Sequence, residues 1–231
     1  MKPRLVHAAN GIGIKIPDFD PVVATHCNKA SSYIDFLLGQ INDEKIYAPL
    51  FAGRGGLVFL DLGANIGLVS LYASPACTKI VAVEPDPNTF LVLKSITLGT
   101  TVIEPVQAAL APKNGPCQFY MNDVNVTASS TVNTYGTETT VNGLHLMGIL
   151  HQNQLEHVDV CKVDVEGAEG ESLTYEELHA AAPAVDSYYI ETHNCPKSTW
   201  ETKMASLVYR LVRSGYSKIF ITGATLWATK K

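Results

Sequence analysis

The sequence contains no apolar stretch near the roughly 20 residues a helix needs to cross a bilayer, so no membrane-spanning helix is expected. Its first residues, Met1 to Pro17, carry Lys2, Arg4, His7, Asn10 and Lys15 and no continuous apolar run, which argues against a signal peptide. No run of Lys or Arg occurs and the net charge is −5, so a nucleic-acid backbone is a poor partner. The five cysteines (Cys27, Cys77, Cys117, Cys161, Cys195) are odd in number, far apart and without a CxxC pair. Neither a disulfide framework nor a zinc site follows from them, and a reducing cytoplasm suits the chain. Internal repeats and low-complexity tracts are lacking too. What is there is ordinary for a globular protein: 46% hydrophobic and 17% charged over 231 residues, enough for one α/β domain with an N-terminal extension.

Residues 1–25 read as irregular, with Pro3, Pro17 and Pro21, and 29–40 and 43–52 read as two short helices before the break at Gly53-Arg54-Gly55-Gly56. The expected division is an extension over 1–52, serving as a lid or part of an acceptor site, and a main domain over 53–231. From residue 57 strands and helices alternate. Strand 57–61 leads to a helix over 66–74, and strand 79–84 to a helix over 87–98 capped by Asp86. Strand 101–106 follows, then extended stretches at 115–121 and 137–142 and a helix over 144–153. Strands 158–163 and 185–191 precede a helix over 198–214, where Trp200, Met204, Leu207, Val208 and Leu211 recur at helical spacing. Gly215 fits a helix stop. Lys218–Ile221 and Thr225–Ala228 read as a hairpin around Gly223. This order predicts a mostly parallel sheet with one antiparallel strand and helices on both faces.

Two motifs describe a nucleotide site. Val58-Phe59-Leu60-Asp61-Leu62-Gly63-Ala64-Asn65-Ile66-Gly67 runs a buried-strand pattern into an acid and a glycine-containing turn. Gly63 suits a positive φ, and Gly67 lets the following helix pack close to the strand. About twenty residues after the first glycine, Ile80-Val81-Ala82-Val83 ends in Glu84-Pro85-Asp86-Pro87, where a carboxylate can accept two ribose hydroxyls. The turn reads G-A-N-x-G and lacks the middle glycine of a dinucleotide fingerprint, where a pyrophosphate needs the closest backbone approach. A cofactor without phosphate, such as S-adenosylmethionine, tolerates Ala64 and Asn65, with Asp61 near its amino group, directly or through water.

A second pair of segments supplies acids and a histidine. Cys161-Lys162-Val163-Asp164-Val165-Glu166-Gly167-Ala168-Glu169 delivers Asp164 and Glu166 to the carboxyl edge of a central strand, where open α/β sheets bind ligands. They suit orienting a substrate, general-base work or holding a metal, with helix capping as the plain alternative. Glu169 reads as structural. Past the next strand, Glu191 and His193 face the same cleft, and a histidine there is a natural base because its ordinary pKa lies near neutrality. The other histidines show no ligand spacing.

Together these residues resemble the FkbM family of S-adenosylmethionine-dependent methyltransferases. The resemblance rests on Asp61–Gly67, on Val83-Glu84-Pro85-Asp86-Pro87 and, most distinctively, on Lys162-Val163-Asp164-Val165-Glu166-Gly167-Ala168-Glu169. Ser129-Ser130 and Glu191-Thr192-His193 sit where the family has similar residues. The family's Leu-Asp pair before the third motif is replaced by Leu144-His145, a departure bearing on local packing or a substrate contact. The resemblance covers about residues 57–215. It implies a Rossmann-like class I methyltransferase fold, seven-stranded with the last strand antiparallel. It implies methyl transfer, most often to an oxygen of a sugar, polyketide or similar metabolite. By position, Gly63, Ala64, Asn65 and Gly67 line the methionine part of the cofactor and Glu84 holds its ribose, with Pro85 beside it among the cofactor-binding residues. Asp86 and the Gln107-Ala108 region flank the adenine, and Asp164 and Glu166 border the transferred methyl.

The expected chemistry is an in-line displacement in which the protein supplies proximity and alignment. His193 is the first candidate base and Glu166 the second. A divalent cation held by Asp164, Glu166, Glu191 and His193 is the less favoured alternative. The expected partner is a small-molecule or glycan acceptor. Trp200, Tyr209 and Trp227 fit either core or an interface, which leaves a homo-oligomer open. A nucleotide-dependent oxidoreductase and a non-catalytic cofactor-binding module remain the rival readings.

Overall fold

The computed structural model describes residues 5–7, 13–15, 38–42, 46–122, 129–132 and 136–230. Its centre is a seven-stranded sheet. Strands are numbered in chain order, with β1 at Leu5–His7, β2 at Gly13–Lys15, β3 at Leu57–Leu62, β4 at Cys77–Val83 and β5 at Ile103–Val106. Next come β6 at Ala109–Leu110, β7 at Gly115–Met121, β8 at Thr137–Leu144, β9 at Val160–Val163, β10 at Ser187–Glu191, β11 at Lys218–Thr222 and β12 at Thr225–Thr229. The sheet order is β11-β12-β10-β9-β3-β4-β5. Neighbours from β10 to β5 pair parallel, while β12 is antiparallel to both β10 and β11. The single antiparallel strand read from the final hairpin is therefore β12.

The central strands are apolar on both faces because both faces are covered. Along β3, Phe59 enters one core while Leu60 and Leu62 enter the other. Along β4, Ile80 and Ala82 alternate in the same way with Val81 and Val83. Over the Phe59 face lie α1 (Ala48–Phe51), α2 (Leu68–Ala73) and α3 (Pro87–Thr97). Over the Leu60 face lie α4 (Leu146–Gln152), α6 (Tyr175–Ala181) and α7 (Trp200–Arg213). A single turn, α5 (Glu169–Ser172), follows the third motif.

Local chemistry places the helix starts. Asp86 accepts from Asn88 N at 2.9 Å and Thr89 N at 3.1 Å, with Pro87 in the first turn of α3. His145 caps α4, its Nδ1 lying 3.2 Å from Gly148 N. The same Nδ1 lies 3.1 Å from Glu177 Oε2, so the departure at Leu144-His145 falls at a helix start. Helix α6 has no counterpart among the predicted elements, yet Thr174-Tyr175-Glu176-Glu177 is a capping-box sequence and Thr174 accepts from Glu177 N.

Two further corrections concern the chain's periphery. Leu5–His7 and Gly13–Lys15, read as irregular, pair antiparallel, and β1 lies beside α2. Strands β6, β8 and β7 form a separate three-stranded sheet, which includes both extended stretches predicted near 115–121 and 137–142. Of the predicted helix over 29–40, residues 29–37 lie outside the described residues; 38–42 are helical, and Ile41, Tyr47, Leu50 and Phe51 join the core.

Candidate functional site

The carboxyl ends of β3, β4 and β9 open into one cleft, bordered also by Gln40, Tyr47, Ser129 and Thr131. At its floor the chain leaves β3 through Gly63, with φ +76°. A Cβ on Gly63 would lie 1.8 Å from the Asp164 carbonyl oxygen, so only glycine lets the β3 and β9 ends stay this close. A Cβ on Gly67 would lie 2.5 Å from Leu93 Cδ1, so here glycine lets α2 pack against α3. Asn65 also has a left-handed backbone, φ +52°.

Glu84 stands at the end of β4, buried, with Oε2 accepting from Asn65 N at 2.9 Å and Oε1 from Asp86 N at 2.8 Å. These two bonds lock the acid against the glycine turn on one side and the start of α3 on the other. A carboxylate has about four lone-pair sites, so each oxygen keeps one for a ribose hydroxyl. Burial pushes the Glu84 carboxyl up to about 8, and the backbone donors from Asp86 and Asn65 only partly oppose it. The cradle fits an adenosine cofactor: a backbone groove without side chains at Gly63, Ala64 in the lining, and a fixed acid facing it.

The remaining residues expected to meet the cofactor divide into two groups. Gly63, Ala64, Asn65, Glu84, Pro85, Ala108 and Asp164 line the cleft. Asp61, Gly67, Asp86 and Gln107 do not: Asp61 and Asp86 are buried beneath it, Gly67 faces Leu93, and Gln107 is exposed. Asp61 accepts from Ser70 Oγ at 2.7 Å and stands 3.2 Å from Lys162 Nζ. Lys162 is a buried lysine in the middle of the sheet, and its role is not evident from the sequence. Its Nζ donates to Gly63 O at 3.1 Å and lies 3.4 Å from Asp164. Burial alone would pull this ammonium down, but Asp61 and Asp164 outweigh it and hold Lys162 well above the usual lysine value. One side chain thereby ties the glycine turn to Asp164. The signal was a lone lysine inside the apolar run Val160-Cys161-Lys162-Val163.

Glu166 lines the cleft with a left-handed backbone, φ +53°, in a tight turn. Ser130 Oγ donates to Glu166 O at 2.8 Å and pins the turn to the 129–132 segment. Burial raises the Glu166 carboxyl to about 7, with the His193 cation opposing. His193 lies beside the cleft, its Nε2 at 3.6 Å from Asp164, 3.8 Å from Glu166 and 3.7 Å from Glu191. Its Nδ1 is 2.9 Å from Glu169 Oε1, which also accepts from Gly167 N at 3.0 Å. Burial disfavours the imidazolium, but the bond to Glu169 and the surrounding carboxylates prevail and raise His193 to about 9. The near-neutral pKa expected of His193 is thus corrected: four carboxylates keep it a cation at pH 7. Glu169, expected to be structural, is buried and positions the histidine.

Of the aromatic residues that fit core or interface, Trp227 packs on the core and Tyr209 is 62% exposed. No helix among the described residues is long and apolar enough to cross a membrane.

A family model described as the methyltransferase FkbM domain matches residues 61–212, from Asp61 at the glycine turn to the end of α7. The solved structure of methyltransferase FkbM from Methylobacillus flagellatus KT is similar at 13% identity, covering 91% of this chain and 55% of that one, with a TM-score of 0.53. The fibrillarin pre-rRNA processing protein of Methanococcus jannaschii is similar at 14% identity, covering 76% and 66%, with a TM-score of 0.47. The chain thus spans between half and two thirds of the length of these structures. No curated protein sequence matches it. The sheet order, with its lone antiparallel strand, is that of the class I S-adenosylmethionine-dependent methyltransferases. With well over half of its length matched by the family model, the chain belongs to the FkbM methyltransferase family.

Proposed function

We propose that this protein transfers a methyl group from S-adenosylmethionine to a hydroxyl of a sugar, polyketide or other small metabolite. The observation that carries the cofactor half is Glu84, fixed by two backbone N–H donors, one of them from the turn that only Gly63 can make. The acceptor half rests on Asp164 and Glu166, which stand at the cleft wall where β9 ends. The cofactor, when bound, supplies an electrophilic methyl whose carbon–sulfur bond breaks with its electron pair left on sulfur.

The chain's own part is alignment and proton transfer. Asp164, held by Lys162, borders the reacting centre and orients the acceptor. Glu166 takes the hydroxyl proton as the oxygen lone pair forms the new bond; it faces the cleft, whereas His193 stands behind it with Nδ1 committed to Glu169. Gln40, Ile41, Tyr47, Ser129 and Thr131 border the cleft and set which acceptor enters. The test is incubation with methyl-labelled S-adenosylmethionine and a panel of hydroxylated sugars, glycosides and polyketides. Label appearing as an O-methyl ether supports the proposal. Label appearing only on nitrogen or carbon acceptors overturns its oxygen specificity.

A further inference from the structure

Behind the cleft wall, three side chains from two strand ends meet around one nitrogen. Asp164 Oδ1 lies 3.6 Å and Glu191 Oε1 3.7 Å from His193 Nε2. Both separations exceed a hydrogen bond. The ligand atoms of the trio all lie within 4.8 Å of one another. An ion bonded at about 2.1 Å holds adjacent ligand atoms about 3 Å apart, so a small rotation of Glu191 on the rim closes the set.

The other face of the histidine is built for this purpose. Its Nδ1 is bonded at 2.9 Å to Glu169, a fully buried carboxylate whose second oxygen has no hydrogen bond. Carboxylate–histidine–metal triads have this form: the outer carboxylate fixes the ring and leaves the inner nitrogen free to coordinate.

A second trio, His157 with Asp159 and Asp186, shows the contrast. His157 is 53% and Asp186 55% exposed, and Asp159 Oδ2 already accepts from Val58 N at 2.8 Å. No buried carboxylate holds the second nitrogen of His157 among the described contacts.

We propose that Asp164, Glu191 and His193 bind a divalent first-row cation, Mn²⁺ being the best match to two carboxylates and one imidazole. The Nε2 proton leaves as the ion takes that nitrogen. The role of the ion rests on the methyl-transfer reading: next to Asp164 it holds the acceptor hydroxyl and lowers its pKa, while Glu166 takes the released proton. Binding of the ion itself does not depend on that reading.

The experiment is calorimetric titration of the chelator-treated chain with Mn²⁺, with pulsed electron paramagnetic resonance on the bound ion. S-adenosylhomocysteine is titrated in parallel. The expected result is a single Mn²⁺ with an imidazole nitrogen coupling. Binding weakens at least tenfold in Glu191→Gln and in His193→Ala, which also loses the coupling, and is retained in Glu84→Ala and His157→Ala. Glu169→Gln, a positioning change, weakens it about ten- to a hundredfold. Asp164→Asn is the third ligand variant; should it misfold through loss of its Lys162 contact, the two rim variants decide. S-adenosylhomocysteine binding without Mn²⁺ binding overturns the metal site and leaves the methyltransferase reading standing. Mn²⁺ binding that survives His193→Ala but not His157→Ala also overturns it. Mn²⁺ binding without S-adenosylhomocysteine binding supports the site and counts against the methyl-transfer reading alone.

Discussion

Lys162 Nζ stands 3.2 Å from Asp61 Oδ1 in a part of the sheet from which both side chains have lost nearly all contact with solvent. Each charge alone would cost several kcal/mol to bury, and their attraction offsets most of that. The pair adds little net stability but fixes where β3 ends, because the same ammonium donates to Gly63 O and contacts Asp164. Removing one partner strands the other. Lys162→Met is expected to cost about 3–5 kcal/mol in urea denaturation. The double variant Lys162→Met with Asp61→Asn should cost less than the sum of the singles. Simple additivity would show that the two groups act independently.

Glu84 makes cofactor binding depend on pH. Ribose hydroxyls donate best to a carboxylate, and burial holds the free carboxyl up to about 8. Affinity for S-adenosylhomocysteine should therefore rise with pH, by up to about tenfold per unit below 8, and level off above it. Glu84→Gln should flatten that profile. Folding of the cofactor-free protein has the opposite sense. A carboxyl raised in the folded state contributes stability fully below its ordinary value of 4.5, and this is lost as pH rises through about 8. A flat affinity profile in the parent protein would contradict the assignment.

The two glycines of the turn should differ on substitution. A Cβ at Gly63 meets rigid backbone at 1.8 Å, whereas one at Gly67 meets the far end of a leucine at 2.5 Å. Both positions also carry the strain of a positive φ, about 1–3 kcal/mol. Gly63→Ala should abolish S-adenosylhomocysteine binding and lower the melting temperature sharply. Gly67→Ala should fold with a loss of about 1–3 kcal/mol and retain binding, since Leu93 can move.

Asp86 separates cap from contact. Asp86→Ala should lower stability by about 0.5–2 kcal/mol, as loss of a helix cap does. Its effect on S-adenosylhomocysteine affinity should be far smaller than that of Glu84→Ala, because Asp86 does not line the cleft. Equal losses from the two variants would place Asp86 at the adenine.

Much of the fold was legible because local signals and long-range packing agree. The alternation of buried residues in β3 and β4 reads as strands covered on both faces, and Gly223 marks the hairpin that supplies the antiparallel strand. Helix α6 carried a readable capping box at Thr174 but only two core residues, Leu178 and Ala181, too few for a helical period. The N-terminal ladder has strands of three residues each, too short for a pattern. At the site, Glu84 and Glu166 both line the cleft. Asp61 does not reach the cleft because a distant lysine, one strand over, captures it. The pKa of His193 was illegible for the same reason: it depends on Glu169, twenty-four residues away in sequence and 2.9 Å away in space.

The central claim is that the cleft between the β3 and β4 ends holds S-adenosylmethionine through Glu84. Calorimetric titration with S-adenosylhomocysteine, beside NAD and repeated on Glu84→Ala, tests it most directly. The account predicts micromolar binding of S-adenosylhomocysteine, none of NAD, and loss of binding in the variant. Preference for NAD, or S-adenosylhomocysteine binding that Glu84→Ala leaves intact, would contradict it.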